Sequence, residues 1–261
     1  KARQMNRFLT QMLSSANPSW YNANAGQAGS ITVRQVLDGA GALIPTELKD
    51  APEVEAEMRR TVGRTYIGLG AADAALPHLQ RALTLYQSQG DAFGVAFTQM
   101  LLGEHKLITV DFKAAEALLR DSVTYVRSRG ADADPELHMI ATNDLAVALI
   151  SQSSGSAEAL GLLRESIAVA DRHGINPAGT AVVLGNVGAM LLQAGRLDEA
   201  EAALQDTVRR IRALPAPPSV SAVFYSYLST LARVRGRHAA AEQQAAVAME
   251  AARSLPADHP Y

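Results

Sequence analysis

The sequence predicts an all-α chain of helix pairs repeated in tandem, with no β-sheet, and three observations carry that expectation. A small residue beside large apolar ones recurs at Gly63, Gly103, Ala146, Gly188 and Ser229, at separations of 40, 43, 42 and 41 residues. Alanine and leucine crowd nearly every segment, while aromatic residues make up only 5% of the chain. That composition suits close helix–helix packing better than a sheet, where β-branched and aromatic side chains are enriched. Lastly, Gly90, Gly130 and Gly174 punctuate the apolar segments at the places where a helix closes most easily on a left-handed glycine.

Taken from the amino end, residues 1–14 set Met5, Phe8, Leu9, Met12 and Leu13 on one helical stripe. The stripe either covers the end of the array or continues a longer helix from an upstream domain. Residues 15–30 form an irregular connection anchored by Trp20 and Tyr21. Thr32 and Gln35 have the spacing of a capping box. The helix they open presents Val33, Val36, Leu37, Ala40 and Leu43, stops before Pro45, and packs on the helix that follows.

Ten further helices are expected near 52–70, 73–89, 92–108, 112–129, 135–152, 156–173, 177–194, 197–213, 220–236 and 238–254. Asp91, Asp134 and Asn176 offer N-cap oxygens, and Pro135 and Pro177 fall at first helical positions. The run Pro215-Ala216-Pro217-Pro218 breaks the array, with Ser219 as the next cap. The expected organisation is an amino-terminal capping region over 1–50, five repeats over 51–255, and a tail or the opening of a further repeat over 256–261. The chain starts at Lys1 with no signal peptide behind it, so it reads as a fragment or a processed product.

The repeats have a recognisable spelling. In TVGRTYIGLGAADAALPHLQRAL, the residues Val62, Gly63, Tyr66, Gly70, Ala75, Leu79 and Ala82 stand at the spacings of a tetratricopeptide repeat. In NVGAMLLQAGRLDEAEAALQDTV, Val187, Gly188, Leu191, Gly195, Ala200, Leu204 and Thr207 repeat them. Weaker copies carry Leu102, Gly103, Ala115 and Leu119; Leu145, Ala146, Ala159 and Leu163; and Leu228, Ser229, Gly236, Ala241, Ala245 and Ala248. The chain thus resembles tetratricopeptide proteins, which implies a right-handed α-α superhelix, a solenoid with amino-terminal capping helices. Its period exceeds the basic motif of about 34 residues, so each helix should run about one turn longer.

A second resemblance covers the amino-terminal third. The run FLTQMLSSANPSWYN, followed by ITVRQVLDGAGALIPTELKDAPEVEAEMRRTVGRTYIGLG, is similar to a segment of bacterial serine/threonine protein kinases with tetratricopeptide tails. There it follows the kinase domain and one membrane span and introduces repeats of kinesin-light-chain-like spacing. The resemblance implies the regulatory or sensory region of a membrane-anchored kinase, on the extracytoplasmic side of a bacterial inner membrane. The alternative is a ligand- or protein-sensing repeat domain of a cytoplasmic transcriptional regulator.

Other function classes find little support. A net charge of −2 lacks the clustered excess of Lys and Arg that a nucleic-acid surface needs. With no cysteine there is no disulfide, thiolate metal site or cysteine nucleophile. No apolar run approaches the ~20 residues of a membrane span, so direct membrane insertion by this chain is not expected. The glycine-rich loop, catalytic-loop and metal-binding motifs of a kinase are absent, as is a Gly-x-Ser-x-Gly elbow, so the chain itself reads as non-catalytic. His78, His105, His138, His173, His238 and His259 show no metal-helix spacing and read as surface or boundary residues; no metal or cofactor is expected. Asp198, Glu199 and Glu201 read as acids favoured at a helix start. Arg209, Arg210 and Arg212 are a minor candidate for meeting an acidic partner.

The expected function is to hold a protein or peptide. The first helices of such repeats line a concave face, and their inward positions are Arg60 and Arg64; Phe97, Met100 and Glu104; Asn143 and Asp144; Asn186; and Tyr227 and Thr230. These provide basic, apolar and amide sectors for an extended segment or helix. The sequence names neither the partner nor the oligomeric state.

Overall fold

The computed structural model describes residues 32–130, 132–152, 157–213 and 218–253. Its described residues form eleven helices and no strand. They are α1 (Val33–Glu47), α2 (Pro52–Gly68), α3 (Ala72–Gln89), α4 (Ala92–Ile108), α5 (Phe112–Arg129), α6 (Pro135–Gln152), α7 (Ala157–His173), α8 (Pro177–Gln193), α9 (Leu197–Arg212), α10 (Pro218–Val234) and α11 (His238–Arg253). The amino-terminal stripe and the connection with Trp20 and Tyr21 lie outside the described residues.

The helix ends follow from local chemistry. Asp91 caps α4 by accepting the Gly94 N–H at 2.9 Å, and Asn176 caps α8 by accepting that of Gly179 at 3.0 Å. Pro135 and Pro177 open α6 and α8, where a missing N–H costs nothing. Gly90, Gly130 and Gly174 end α3, α5 and α7 at φ of 68°, 89° and 61°. The Thr32–Gln35 capping box is formed in both directions, the Gln35 N–H reaching Thr32 Oγ1 at 3.2 Å and the Thr32 N–H reaching Gln35 Oε1 at 2.9 Å.

Three details differ from the sequence expectation. Helix α1 does not stop before Pro45 but runs to Glu47, and the Leu48 N–H still closes on the Ile44 carbonyl at 3.1 Å. Ile44 and Leu48 are buried on either side of the exposed Pro45, so tertiary burial holds the last turn despite the missing donor. Val33 is 59% exposed and does not join the packed face. At the start of α10, Pro218 takes the first helical position and Ser219 lies inside the helix, not at its cap.

Within each helix pair the small residue does what its size allows. A Cβ built on Gly63 would stand 2.5 Å from Leu79, on Gly103 2.6 Å from Leu119, and on Gly188 2.6 Å from Leu204. In the pair α10–α11 the counterpart, Ser229, donates its hydroxyl to the Ala241 carbonyl at 2.8 Å. Gly70, Gly195 and Gly236 turn the chain between the two helices of a pair at φ of 71°, 72° and 68°, and in α4–α5 that place is held by Val110 at φ 62°.

The chain divides into two compact units, one ending at Tyr125 and one beginning at Val126. In the first, Ala56, Ala82, Leu85 and Tyr86 form a buried cluster against which Val95 packs. In the second, Met139, Val169 and Ala170 do the same with Ile140 and Ile175. The second unit also carries ion pairs between residues about one repeat apart. Arg127 meets Glu165 at 2.6 Å, Arg210 meets Asp171 at 2.8 Å, Arg237 meets Glu201 at 2.8 Å, and Arg164 meets Glu199 at 3.4 Å. No helix among the described residues is long and apolar enough to cross a membrane.

Candidate partner-binding faces

In the first unit, Arg60 and Arg64 stand one helical turn apart on α2, and Phe93 and Phe97 stand one turn apart on α4, so each pair shares a face. The faces meet. The Arg60 guanidinium carbon lies 4.5 Å from the centroid of Phe97 and 5.8 Å from that of Phe93, and that of Arg64 lies 5.5 Å from Phe97. The two rings pack edge to face at 5.7 Å. A guanidinium over an aromatic face gains about 0.5–2 kcal/mol, the higher value when desolvated. Arg60 Nε is buried without a hydrogen-bond partner, while Arg64 remains exposed.

Neighbouring ionisable groups feel this packing. Burial pushes the Glu104 carboxyl above its ordinary value, and the nearby Arg64 charge only partly opposes it. Burial likewise raises the Tyr86 phenol, against the pull of Arg60. Phe97 and Met100 are 5% and 1% exposed and act chiefly as floor and core. Phe93, which sequence reasoning passed over, completes the platform; its one-turn spacing from Phe97 was the available signal.

In the second unit, Asn143 and Asp144 of α6 are joined, Asn143 Nδ2 donating to Asp144 Oδ1 at 3.0 Å, and Asn143 Oδ1 is buried without a partner. The other candidates stand apart from them. Asn186 is half-buried on α8. On α10, Tyr227 leans on Phe224 with 6.4 Å between centroids, and the Thr230 hydroxyl donates to the Ser226 carbonyl of its own helix at 3.0 Å.

Other charged candidates are already engaged. Arg212 donates to the Tyr225 hydroxyl at 2.8 Å, Arg210 holds Asp171 and Asp206, and Arg209 is bonded to Asp206. Asp198 meets Arg235, Glu199 meets Arg196 and Arg164, and Glu201 meets Arg235 and Arg237. Two histidines read as surface or boundary residues are core residues, His105 at 4% and His138 at 3% exposure. Helix packing, not spacing, decides this.

Two charge centres, one buried and one half-buried, were not legible in the sequence. Glu55, 5% exposed, accepts from Arg59 at 2.7 Å and from Arg81 at 3.2 Å. Its burial raises the carboxyl, but hydrogen bonds from Arg81 and Arg59 outweigh that and hold it below its ordinary value. In the second unit, Glu165 joins Arg127 and the buried His138, whose Nε2 lies 2.6 Å from Glu165 Oε1. Burial raises Glu165 too, and the bonds from Arg127 and His138 prevail to hold it low.

Paired helices that close on a glycine–leucine contact and turn at a left-handed residue have the tetratricopeptide-type fold. The tetratricopeptide-repeat family model matches residues 180–214, which span most of the pair α8–α9. No curated protein is similar to the chain. Among solved structures, it is similar to BtubC (BKLC) from P. vanneervenii, at 16% identity and TM-score 0.71, over 89% of this chain and 95% of that one. It is also similar to a Podosopora anserina protein of nearly identical kinesin-light-chain TPR-like repeats, at 15% identity and TM-score 0.59, over 76% and 96% of the two chains. The apo form of RapI gives 10% identity and TM-score 0.58 over 84% and 93%. At these identities the likeness establishes the fold.

Proposed function

We propose that the protein is a non-catalytic interaction scaffold of five repeats over 51–255 behind an amino-terminal cap, whose first helices hold a protein or peptide. The observation that carries this reading is the platform of Arg60 and Arg64 on Phe93 and Phe97. It sets the exposed Arg64 beside the buried Phe97 and the half-buried Phe93, the pairing of arginine and aromatic groups in which binding energy concentrates. The half-buried Asn143, Asp144 and Asn186 offer amide and carboxylate contacts for a peptide backbone on the second unit. The similarity of residues 8–70 to the segment that introduces repeats in bacterial serine/threonine kinases supports a place in the regulatory or sensory tail of such an enzyme, outside the inner membrane.

The test starts with peptides selected from a random displayed library against the purified chain. Their affinities are then measured by calorimetry for the wild type, Arg64→Glu and Asn186→Ala, each variant reporting on its own unit. A peptide that uses the first-unit platform should bind Arg64→Glu about tenfold more weakly, roughly 1.4 kcal/mol, with helicity by circular dichroism unchanged. Selected peptides whose affinity neither variant diminishes would remove the first-helix face as the binding surface.

A further inference from the structure

Helix α1 packs chiefly on α2, and its Gly41 also lies against His78 of α3. Its buried side is narrow: Ala40 and Ile44 are fully enclosed, followed by Leu48 just past its end. A hydrogen bond runs to it from the Tyr66 hydroxyl on α2, reaching Asp38 Oδ1 at 2.6 Å. The α1 backbone also makes a close approach to the imidazole. A Cβ on Gly41 would stand 2.9 Å from His78 Cε1 and 3.1 Å from Nε2, so a larger residue there would displace the ring. The other side of the imidazole rests on Tyr66, with 5.8 Å between ring centroids.

This is a poor place for an imidazolium. His78 Nδ1 is buried without a hydrogen-bond partner, so a proton placed there would have no acceptor. Arg59 of α2 acts on it through its charge and Tyr66 of α2 packs on its ring; Asp38 and Arg34 of α1 lie by Tyr66, while Glu55 of α2 joins Arg59 to Arg81 of α3. Asp38 is committed to the Tyr66 hydroxyl, and Glu55 to Arg59 and Arg81. Neither carboxylate bonds His78 Nδ1, and the Arg59 charge disfavours a second cation beside it.

We propose that His78 is a proton-operated latch: neutral, it lets α1 lie on α2 and α3, and protonated, it releases α1 and uncovers the Tyr66–His78 face of the first helix pair. Burial and the Arg59 charge lower the His78 pKa, in agreement with the geometry. The docked form therefore binds fewer protons than the released one. Docking is strongest above the ordinary histidine value of about 6.5 and weakens as pH falls from there through the lowered one. The undocking constant can rise at most about tenfold per pH unit across that window. Glu55 does not titrate at the upper end of this window, since its carboxyl is held below its ordinary value. The Tyr66 phenol, pushed up to about 12 by burial and the bond to Asp38, does not share it either.

The chain has no cysteine, so two nitroxide labels can be placed without altering any native thiol. Ala42→Cys on the outer side of α1 and Thr84→Cys on α3 are both exposed positions. The distance distribution between the labels is measured at pH 7.5 and pH 5.0, in the wild-type background and with His78→Gln. The expected result is a longer, broader population that grows at pH 5.0 with His78 present and does not grow with His78→Gln. His78→Phe serves in the same role should circular dichroism show His78→Gln misfolded. A distribution unchanged between the two pH values would overturn the proposal, as would an equal change in both backgrounds.

Discussion

Val110 makes the most pointed test of the turn geometry. It is a β-branched residue at φ 62°, in the region that disfavours side chains, where the corresponding turns of three other helix pairs have Gly70, Gly195 and Gly236. Backbone strain of this kind costs on the order of 1–3 kcal/mol. Replacing Val110 by glycine relieves it, but loosens the unfolded chain at a cost of roughly 0.5–1 kcal/mol. The valine is 67% exposed, so removing its side chain forfeits only about 0.5 kcal/mol, a third of the ~1.5 kcal/mol for full burial. The balance favours Val110→Gly by about 1 kcal/mol, read as a higher urea midpoint by circular dichroism with an unchanged slope. The mirror change, Gly195→Val, should lose about as much, from the same strain and entropy values. If Val110→Gly lowers stability, or if Gly195→Val is harmless, the strain argument is wrong.

Glycines inside helices should divide by what faces them. Gly188→Ala puts a Cβ 2.6 Å from Leu204 Cγ and should destabilise by about 1–2 kcal/mol through overpacking. Gly161→Ala meets nothing within 4 Å and should stabilise by roughly 0.5–1 kcal/mol; thermal melts of the two variants give the comparison. Glu55→Gln strips a buried carboxylate from two arginines and should cost less than the roughly 3–5 kcal/mol of a fully buried pair, because Arg81 is half exposed, seen as a lower urea midpoint at pH 7. Because the folded-state pKa values of Glu55 and Glu165 are depressed, their contribution is present above the ordinary carboxylate range and lost as pH falls through the lowered values. Acid titration of helicity should therefore show a transition below pH of about 4.5 that shrinks in Glu55→Gln.

Most of the fold could be read from residues whose effect is local. The caps at Thr32, Asp91 and Asn176 and the closing glycines act within a turn of their own position, so spacing alone locates them. Gly63, Gly103 and Gly188 were legible because a helix pair with no room for a Cβ leaves a period in the sequence. What escaped depended on packing. Pro45 argued for a helix end that the burial of Ile44 and Leu48 overrode. Val110 stood where glycine was the rule, and nothing in the one-letter pattern says that a valine will accept the same φ. Among candidate site residues, Arg60 and Arg64 were identifiable from their helix face, but their seat on Phe93 and Phe97 requires knowing how α2 and α4 lie together. His138 looked like any isolated histidine until α7 brought Glu165 to it.

The ion pairs of the second unit set how it would yield to a pull on its two ends. Several of them join residues about one repeat apart, as Arg127 with Glu165 and Arg210 with Asp171. A force drawing that unit out must break them one after another, because the breaking of one leaves the next in place. Extension should then show successive small yields in place of a single rupture. Since exposed pairs are screened by salt over a Debye length of about 10 Å at 0.1 M, the same stretch should grow more compliant as salt is added. The first unit, tied at Glu55 by pairs within one helix pair, should change less.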